Sequence, residues 1–223
     1  VYEKYVLSNP EGYKSSAFLE RLNAFMQVGK GTMRMEHKAG DKMFVDYTGK
    51  KLHIVDKLSG EITDVEVFVA ILGCSQLTFV LAMPSQQKED FIRGCEQALH
   101  FYGGVPQAIV PDNLRSAVTK ASKYEAQLND NFAAFAEHYH TFGFPTRTYK
   151  PKDKALVEGA VKIIYTTIFA KIDQEVYHTI AALNVAISVH LQAHNNRLLT
   201  GQNYSRLQQR SEERRVGKEC RSR

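Results

Sequence analysis

Met43-Phe44-Val45-Asp46-Tyr47-Thr48 is a run of strand-favouring residues with one carboxylate in its middle. Side chains alternate across a strand, so Phe44, Asp46 and Thr48 point one way while Val45 and Tyr47 point the other. An acid inside an apolar strand carries a desolvation cost unless something pairs with it, and a bound cation is one such partner. The plain alternative is an Asp at a sheet rim, solvated and bonded to the nearby Gly49 turn. Carboxylates further along the chain bear on the choice.

Outward from that stretch, residues 42–84 read as strands. Gly49-Lys50 separates the opening run from Lys51-Leu52-His53-Ile54-Val55, and a turn follows at 57–60. Segments 65–72 and 77–83 are rich in β-branched and aromatic residues and are joined by Gly73-Cys74-Ser75-Gln76. Three to four antiparallel strands in succession are expected. Residues 86–102 read as a helix with Phe91, Cys95, Leu99 and Tyr102 on one face and Gly103-Gly104 closing it. Ala108-Ile109-Val110 is a short buried strand ending at Pro111-Asp112-Asn113. The order β-β-β-α-β predicts an α/β fold, a mixed sheet flanked by helices. Asp112 then sits at a strand's C-terminal end, where such sheets bind ligands.

Segment 114–128 is basic and weakly patterned, with Arg115, Lys120 and Lys123. Residues 129–141 are helical in pattern (Phe132, Phe135, Ala136, Tyr139), with Asn129 as cap. An edge strand is expected at 146–149 before Pro151. A strong helix is expected over 154–172. Another is expected over 174–195, with Val176, Ile180, Leu183, Ile187 and Leu191 on its buried face. At the other end of the chain, Asn9-Pro10-Glu11-Gly12 is a turn signal. Phe18, Leu22, Phe25 and Met26 then recur at helical spacing up to Gly29. That helix either packs on the main domain or is the last helix of a DNA-binding module.

Composition bounds these readings. The 223 residues, 43% hydrophobic and 24% charged, suit a globular protein able to bury a real core. There is no apolar run of membrane-spanning length and no signal-peptide pattern. Three cysteines, odd in number and without a C-x-x-C pair, argue against a disulfide framework or a thiolate zinc site and for a reducing cytoplasm. A net charge of +5 permits a nucleic-acid partner without requiring one. Residues 211–223 (SEERRVGKECRSR) lack apolar periodicity and read as a basic tail or a non-native read-through.

The helix at 154–172 contains the third acid. Residues four apart stack on one helical face, so Lys154, Glu158 and Lys162 form a stripe with Tyr165 next along it. By itself this is a Lys-Glu-Lys ladder on a solvated helix. Three acids in three elements, Asp46, Asp112 and Glu158, suggest more. Carboxylates are the ligands Mg²⁺ or Mn²⁺ prefers, and paired ions can drive in-line displacement at phosphorus. Lys150, Lys152, Lys154 and Lys162, with Arg115, would hold a phosphate backbone. His190 and His194, four apart on a helix, have a zinc-compatible spacing but no third ligand nearby.

The order strand-Asp, strand-Asp-Asn, helix-Glu resembles the D,D,E core of transposases and retroviral integrases. The nearer resemblance is to the IstA-type transposase of bacterial insertion sequences (the IS-twenty-one family). It is carried by Glu36-His37-Lys38-Ala39-Gly40-Asp41-Lys42-Met43-Phe44-Val45-Asp46-Tyr47, by Val110-Pro111-Asp112-Asn113 and by Lys150-Pro151-Lys152-Asp153-Lys154-Ala155-Leu156-Val157-Glu158. The resemblance implies a ribonuclease-H-like five-stranded sheet. It implies Asp46, Asp112 and Glu158 as catalytic, metal-holding acids. It also implies double-stranded DNA (element ends and target), a homo-oligomer on that DNA, and an AAA+ helper ATPase of the IstB type as partners. The division expected is a trailing DNA-binding region over 1–35, a catalytic core over 36–175, a helical extension over 176–210 and the tail. A cytoplasmic, nucleoid-associated, membrane-free location follows. The forty-five residues between Asp112 and Glu158 exceed the retroviral spacing, so 114–128 is expected to be an insertion beside the active site. A non-catalytic DNA-binding or assembly module, or a ribonuclease-H-like nuclease, would share the fold.

Overall fold

A computed structural model describes residues 1–28, 37–111, 118–120, 127–144 and 151–216. Its contacts divide the chain into a small unit, Val1–Glu36, and a large one, His37–Arg223.

Alternation along β1 (Lys42–Tyr47) sends Met43, Val45 and Tyr47 to one face of a sheet and Phe44 and Asp46 to the other. Its neighbours in sequence are β2 (Leu52–Val55), β3 (Ile62–Leu72) and β4 (Thr78–Met83). After a helix come β5 (Ala108–Pro111), the hairpin strands β6 (Val118–Lys120) and β7 (Gln127–Leu128), and β8 (Phe142–Gly143). β3 pairs antiparallel with β1, β2 and β4, while β1–β5 and β5–β8 are parallel. Tyr47 lies opposite Phe68 and Leu52 opposite Val65. Four residues thus separate Tyr47 from Leu52, against two between their partners. β1 and β2 therefore run end to end along one edge of β3; the Thr48 N–H still bonds the Val67 carbonyl, and residues 49–51 bulge opposite Glu66. The main sheet has six strands in five positions, with β1 central, which reconciles the expected five-stranded mixed sheet with the strand count.

One face is covered by α3 (Lys88–Tyr102) and α4 (Asp130–His138). Phe68, Phe91 and Phe132 are fully buried there beside Met43, Val45 and Leu99. Gly94 lets α3 approach closely, since a Cβ at that position would meet Phe68 Cγ at 3.0 Å and Met83 Sδ at 3.2 Å. The helix ends at Gly103, whose φ of 62° is the left-handed cap that glycine adopts at little steric cost. Asn129 caps α4 as expected, its side chain accepting from Asn131 N.

The opposite face is covered by α5 (Pro151–Ile164), a π-helical turn (Tyr165–Phe169), α6 (Ala170–Ile172) and α7 (Ile180–Asn196). The helix expected over 154–172 is therefore interrupted. Thr166 and Thr167 both donate their hydroxyls to the Ile163 carbonyl, at 3.0 and 2.7 Å. Such back-bonding, in a β-branched run, competes with the regular ladder. Ile164, Ile168, Phe169 and Ile172 pack with Leu183, Ile187 and Leu191 of α7 over Val65, Val67 and Val69. Val176 precedes α7 and is exposed, so the expected start at 174 is too early. Two asparagines of α7 reach the outer edge of β4. Asn195 pairs with both backbone groups of Thr78 and Asn184 with both of Ala82, at 2.7–3.2 Å. Finally α8 (Arg206–Val216) docks against α7. Arg206 donates to the His194 carbonyl, and Arg210 to that of Tyr102.

The small unit contains α1 (Tyr2–Ser8), not foreseen from sequence, and α2 (Ser15–Val28). Phe18 packs at a tilt against Tyr5 and Tyr2, with ring centres 4.6 and 5.3 Å away. Phe18 and Leu22 are half-buried, whereas Phe25 and Met26, placed on the same face by spacing, are exposed. The edge strand expected at 146–149 lies outside the described residues. Among the described residues, no helix is long and apolar enough to cross a membrane.

Candidate functional site

Phe44, in the middle of β1, lies directly opposite Ile71 of β3 on one side and Val110 of β5 on the other. Together with Ala160 of α5 these three form a small buried cluster. α5 therefore crosses the sheet over the row that contains Phe44, on the face of β1 that also carries Asp46 two residues on. Asp46 is half-buried and lies opposite Val69, and its Oδ1 accepts the N–H of Tyr47 at 2.8 Å. That bond limits the rotation of the carboxylate, the kind of support that ligating acids receive.

The parallel ladder to β5 ends with Val45 opposite Pro111, one residue short of Asp46 on one strand and of Asp112 on the other. Asp112 lies outside the described residues, as do Arg115 and Lys150. Lys152 and Lys154 lie in the first turn of α5, where only the backbone is described. Glu158 and Lys162 are both exposed. Ala160 and Ile164 are buried towards the sheet, so the stripe of Glu158, Lys162 and Tyr165 runs along the helix's flank. Among the described residues, the ion pairs are Lys42–Asp41, Lys50–Asp173 and Lys51–Glu66, and none joins Glu158 to Lys162.

Contacts that sequence reasoning missed lie at the bulge after β1. The Lys50 N–H donates to the Tyr165 hydroxyl at 3.0 Å, and the Thr48 hydroxyl donates to the Lys50 carbonyl at 2.7 Å. The Lys50 ammonium pairs with Asp173 and lies 6.0 Å from the centre of the Phe169 ring. The adjacent threonines 166 and 167 were the available signal for a broken helix. The partner of Tyr165, over a hundred residues away, had none.

As a donor set, carboxylates suit a hard divalent cation. Among the described residues, no three His, Cys, Asp or Glu side chains gather into a ready-made cation site. His194 is buried, and desolvation, helped by Arg206 and Arg197, lowers its pKa to about 4. A neutral imidazole under two arginines packs the α7–α8 junction.

No family model matches the chain. Over 199 residues, 89% of the chain, it is 45% identical to a Sinorhizobium fredii protein named "Putative transposase y4bL/y4kJ/y4tB". The relatives carry the name transposase. A Pseudomonas fluorescens protein named for insertion sequence IS1162 is 36% identical over 88% of the chain. The transposase for insertion sequence element IS21 of Pseudomonas aeruginosa is 25% identical over 66%. The chain spans 39%, 36% and 36% of these three relatives' lengths.

Among solved structures, the catalytic core domain of BIV integrase aligns with a TM-score of 0.58 at 13% identity, covering 81% of this chain and 99% of that one. The HTLV-2 integrase catalytic core domain in complex with magnesium aligns with a TM-score of 0.54 at 19% identity, covering 79% and 99%. The fold is that of integrase catalytic cores, a ribonuclease-H-like mixed sheet flanked by helices.

Proposed function

We propose that this chain carries the catalytic core of an insertion-sequence transposase of the IstA type, with Asp46, Asp112 and Glu158 as its D,D,E acids. The observation that carries the reading is the place of Asp46. It sits on the central strand, beside a parallel strand ending one residue before Asp112, under the helix that bears Glu158. Alternation from Val110, which shares a row with Phe44, would turn Asp112 to the face of Asp46 if β5 continued one residue further.

In this reading the three carboxylates hold Mg²⁺ or Mn²⁺, which would polarise the scissile phosphate and lower the pKa of an attacking oxygen. Lys150, Lys152, Lys154, Lys162 and Arg115 bind DNA phosphates and hold the backbone for in-line attack. A water oxygen attacks phosphorus at the element's end, breaking the P–O bond to the 3′ oxygen and freeing a 3′-hydroxyl. That hydroxyl then attacks a phosphorus of the target strand, exchanging one P–O bond for another.

Residues 36–175 form the catalytic core in this reading, 1–35 trail a DNA-binding region, 176–210 are a helical extension and 211–223 a basic tail. The partners are double-stranded DNA, further copies of the chain on that DNA, and an AAA+ helper ATPase of the IstB type. The location is cytoplasmic, at the nucleoid.

The test is strand joining with a labelled donor end. Asp46→Asn and Asp112→Asn should each abolish joining while leaving DNA affinity within about twofold, since each removes a ligand's charge and no phosphate contact. Near-normal joining by either variant would remove its acid from the site.

A further inference from the structure

The bulge at 49–51 begins three residues after Asp46, and the π-helical turn follows the helix of Glu158 directly. The two irregularities meet. Lys50 N–H donates to the Tyr165 hydroxyl at 3.0 Å, and the Lys50 ammonium pairs with Asp173 and lies 6.0 Å from the centre of the Phe169 ring. Tyr165 is itself held edge-on by Phe169, with ring centres 5.2 Å apart. Regular elements would offer none of this. Without the π turn, the residues after Ile164 would be rotated by a different amount about the helix axis.

We infer that Lys50 and Tyr165 are positioning residues that brace the helix of Glu158 against the strand of Asp46 and so set the spacing of the two acids. The inference rests on the reading of those acids as ligands of one cation site. Tyr165 lies on the stripe of Glu158, seven residues or about 10 Å along the helix, so the brace touches no reacting atom. It acts through the stiffness of two turns of helix. A hydroxyl-to-amide bond beside an ion pair fixes both the height and the rotation of that helix end, which apolar packing of Ile164 and Ile168 alone leaves softer.

The experiment is calorimetric titration of the whole chain with Mn²⁺, with no DNA and no turnover. Tyr165→Phe removes the hydroxyl and keeps the ring on Phe169. It should weaken Mn²⁺ binding by about tenfold, as loss of outer-shell support does. Lys50→Met keeps the backbone donor and loses the ion pair, so it should weaken binding by a smaller factor. In a Glu158→Gln background, Tyr165→Phe should weaken binding no further, because the brace works through Glu158. Unchanged affinity in both single variants, with Asp46→Asn abolishing binding, overturns the brace and leaves the site standing. The same tenfold loss with and without Glu158 also overturns it. Unchanged affinity in Asp46→Asn overturns the site itself, and the brace with it.

Discussion

The two faces of the sheet are built from the same strands yet differ in kind. Towards α3 and α4, the strands present Met43, Val45, Tyr47, Phe68 and Ala70, sealed under Phe91 and Phe132, and the carboxylate that alternation puts on that face, Glu66, is neutralised by Lys51. Towards α5 and α7, they present mostly aliphatic residues, with Asp46 set at the end of the row that begins with Phe44. The aromatic face bears the stability, because interlocking rings leave little room to relax. On the aliphatic face Asp46 is half-buried beside the row that α5 covers, and its Oδ1 accepts from Tyr47 N–H. A single strand thus serves as core on one side and as candidate site on the other, residue by residue.

Substitutions one residue class apart should separate these roles. Phe68→Ala, on the aromatic face, should lower unfolding free energy by about 3–5 kcal/mol. Asp46→Asn, on the other face, should stay within about 1 kcal/mol of the parent, because the amide oxygen can still accept from Tyr47. Urea melts of the two variants side by side measure this, and equal losses would erase the distinction.

The next effect is a pH dependence at the α7–α8 junction. Burial holds the folded His194 pKa at about 4, against 6.5 for the free side chain. The unfolded chain therefore takes up the proton first, and stability from this group is full above pH 6.5 and falls as pH drops towards 4. About 3 kcal/mol is involved. His194→Gln should flatten the melting profile in that window, and an unchanged profile would show another group in control.

Smaller still is Tyr47→Phe. The Tyr47 hydroxyl is buried with no hydrogen-bond partner among the described residues, and burial raises its pKa. Removing it should raise stability by about 1 kcal/mol. A loss instead would reveal a partner for that hydroxyl on the aromatic face. The smallest effect on stability is that of Lys162→Ala, a few tenths of a kcal/mol. If Lys162 holds a phosphate, the same change should lower the slope of log DNA affinity against log salt by about one. Equal slopes would return Lys162 to a solvated helix face.

Much of this arrangement is legible in the residues alone. The β-branched runs predict β1 and β3–β5, and the spacing of Phe91, Cys95, Leu99 and Tyr102 predicts α3, because local period and burial agree there. The interior acid of β1 is legible for the same reason. What could not be read depends on partners far off in the chain. That β1 and β2 share one edge of β3 is set by the length of β3. The π turn is set by competition for the Ile163 carbonyl, and Phe25 and Met26 obey a helical period without being covered. Tyr165 looked like the last rung of a charged stripe, and only the fold brings Lys50 to it.

The side-chain amides on α7 have a consequence for how copies of this protein can associate. Asn184 and Asn195 are eleven residues apart, about 16 Å along a helix, and Thr78 and Ala82 are about 13 Å apart along a strand. The match lets two amides imitate a neighbouring strand at two points of the β4 rim. A sheet finished in this way offers no template there for a second chain to zip onto. Among the described strands, edge-to-edge pairing of copies would have to use an edge other than this rim, that of β2 or of β8.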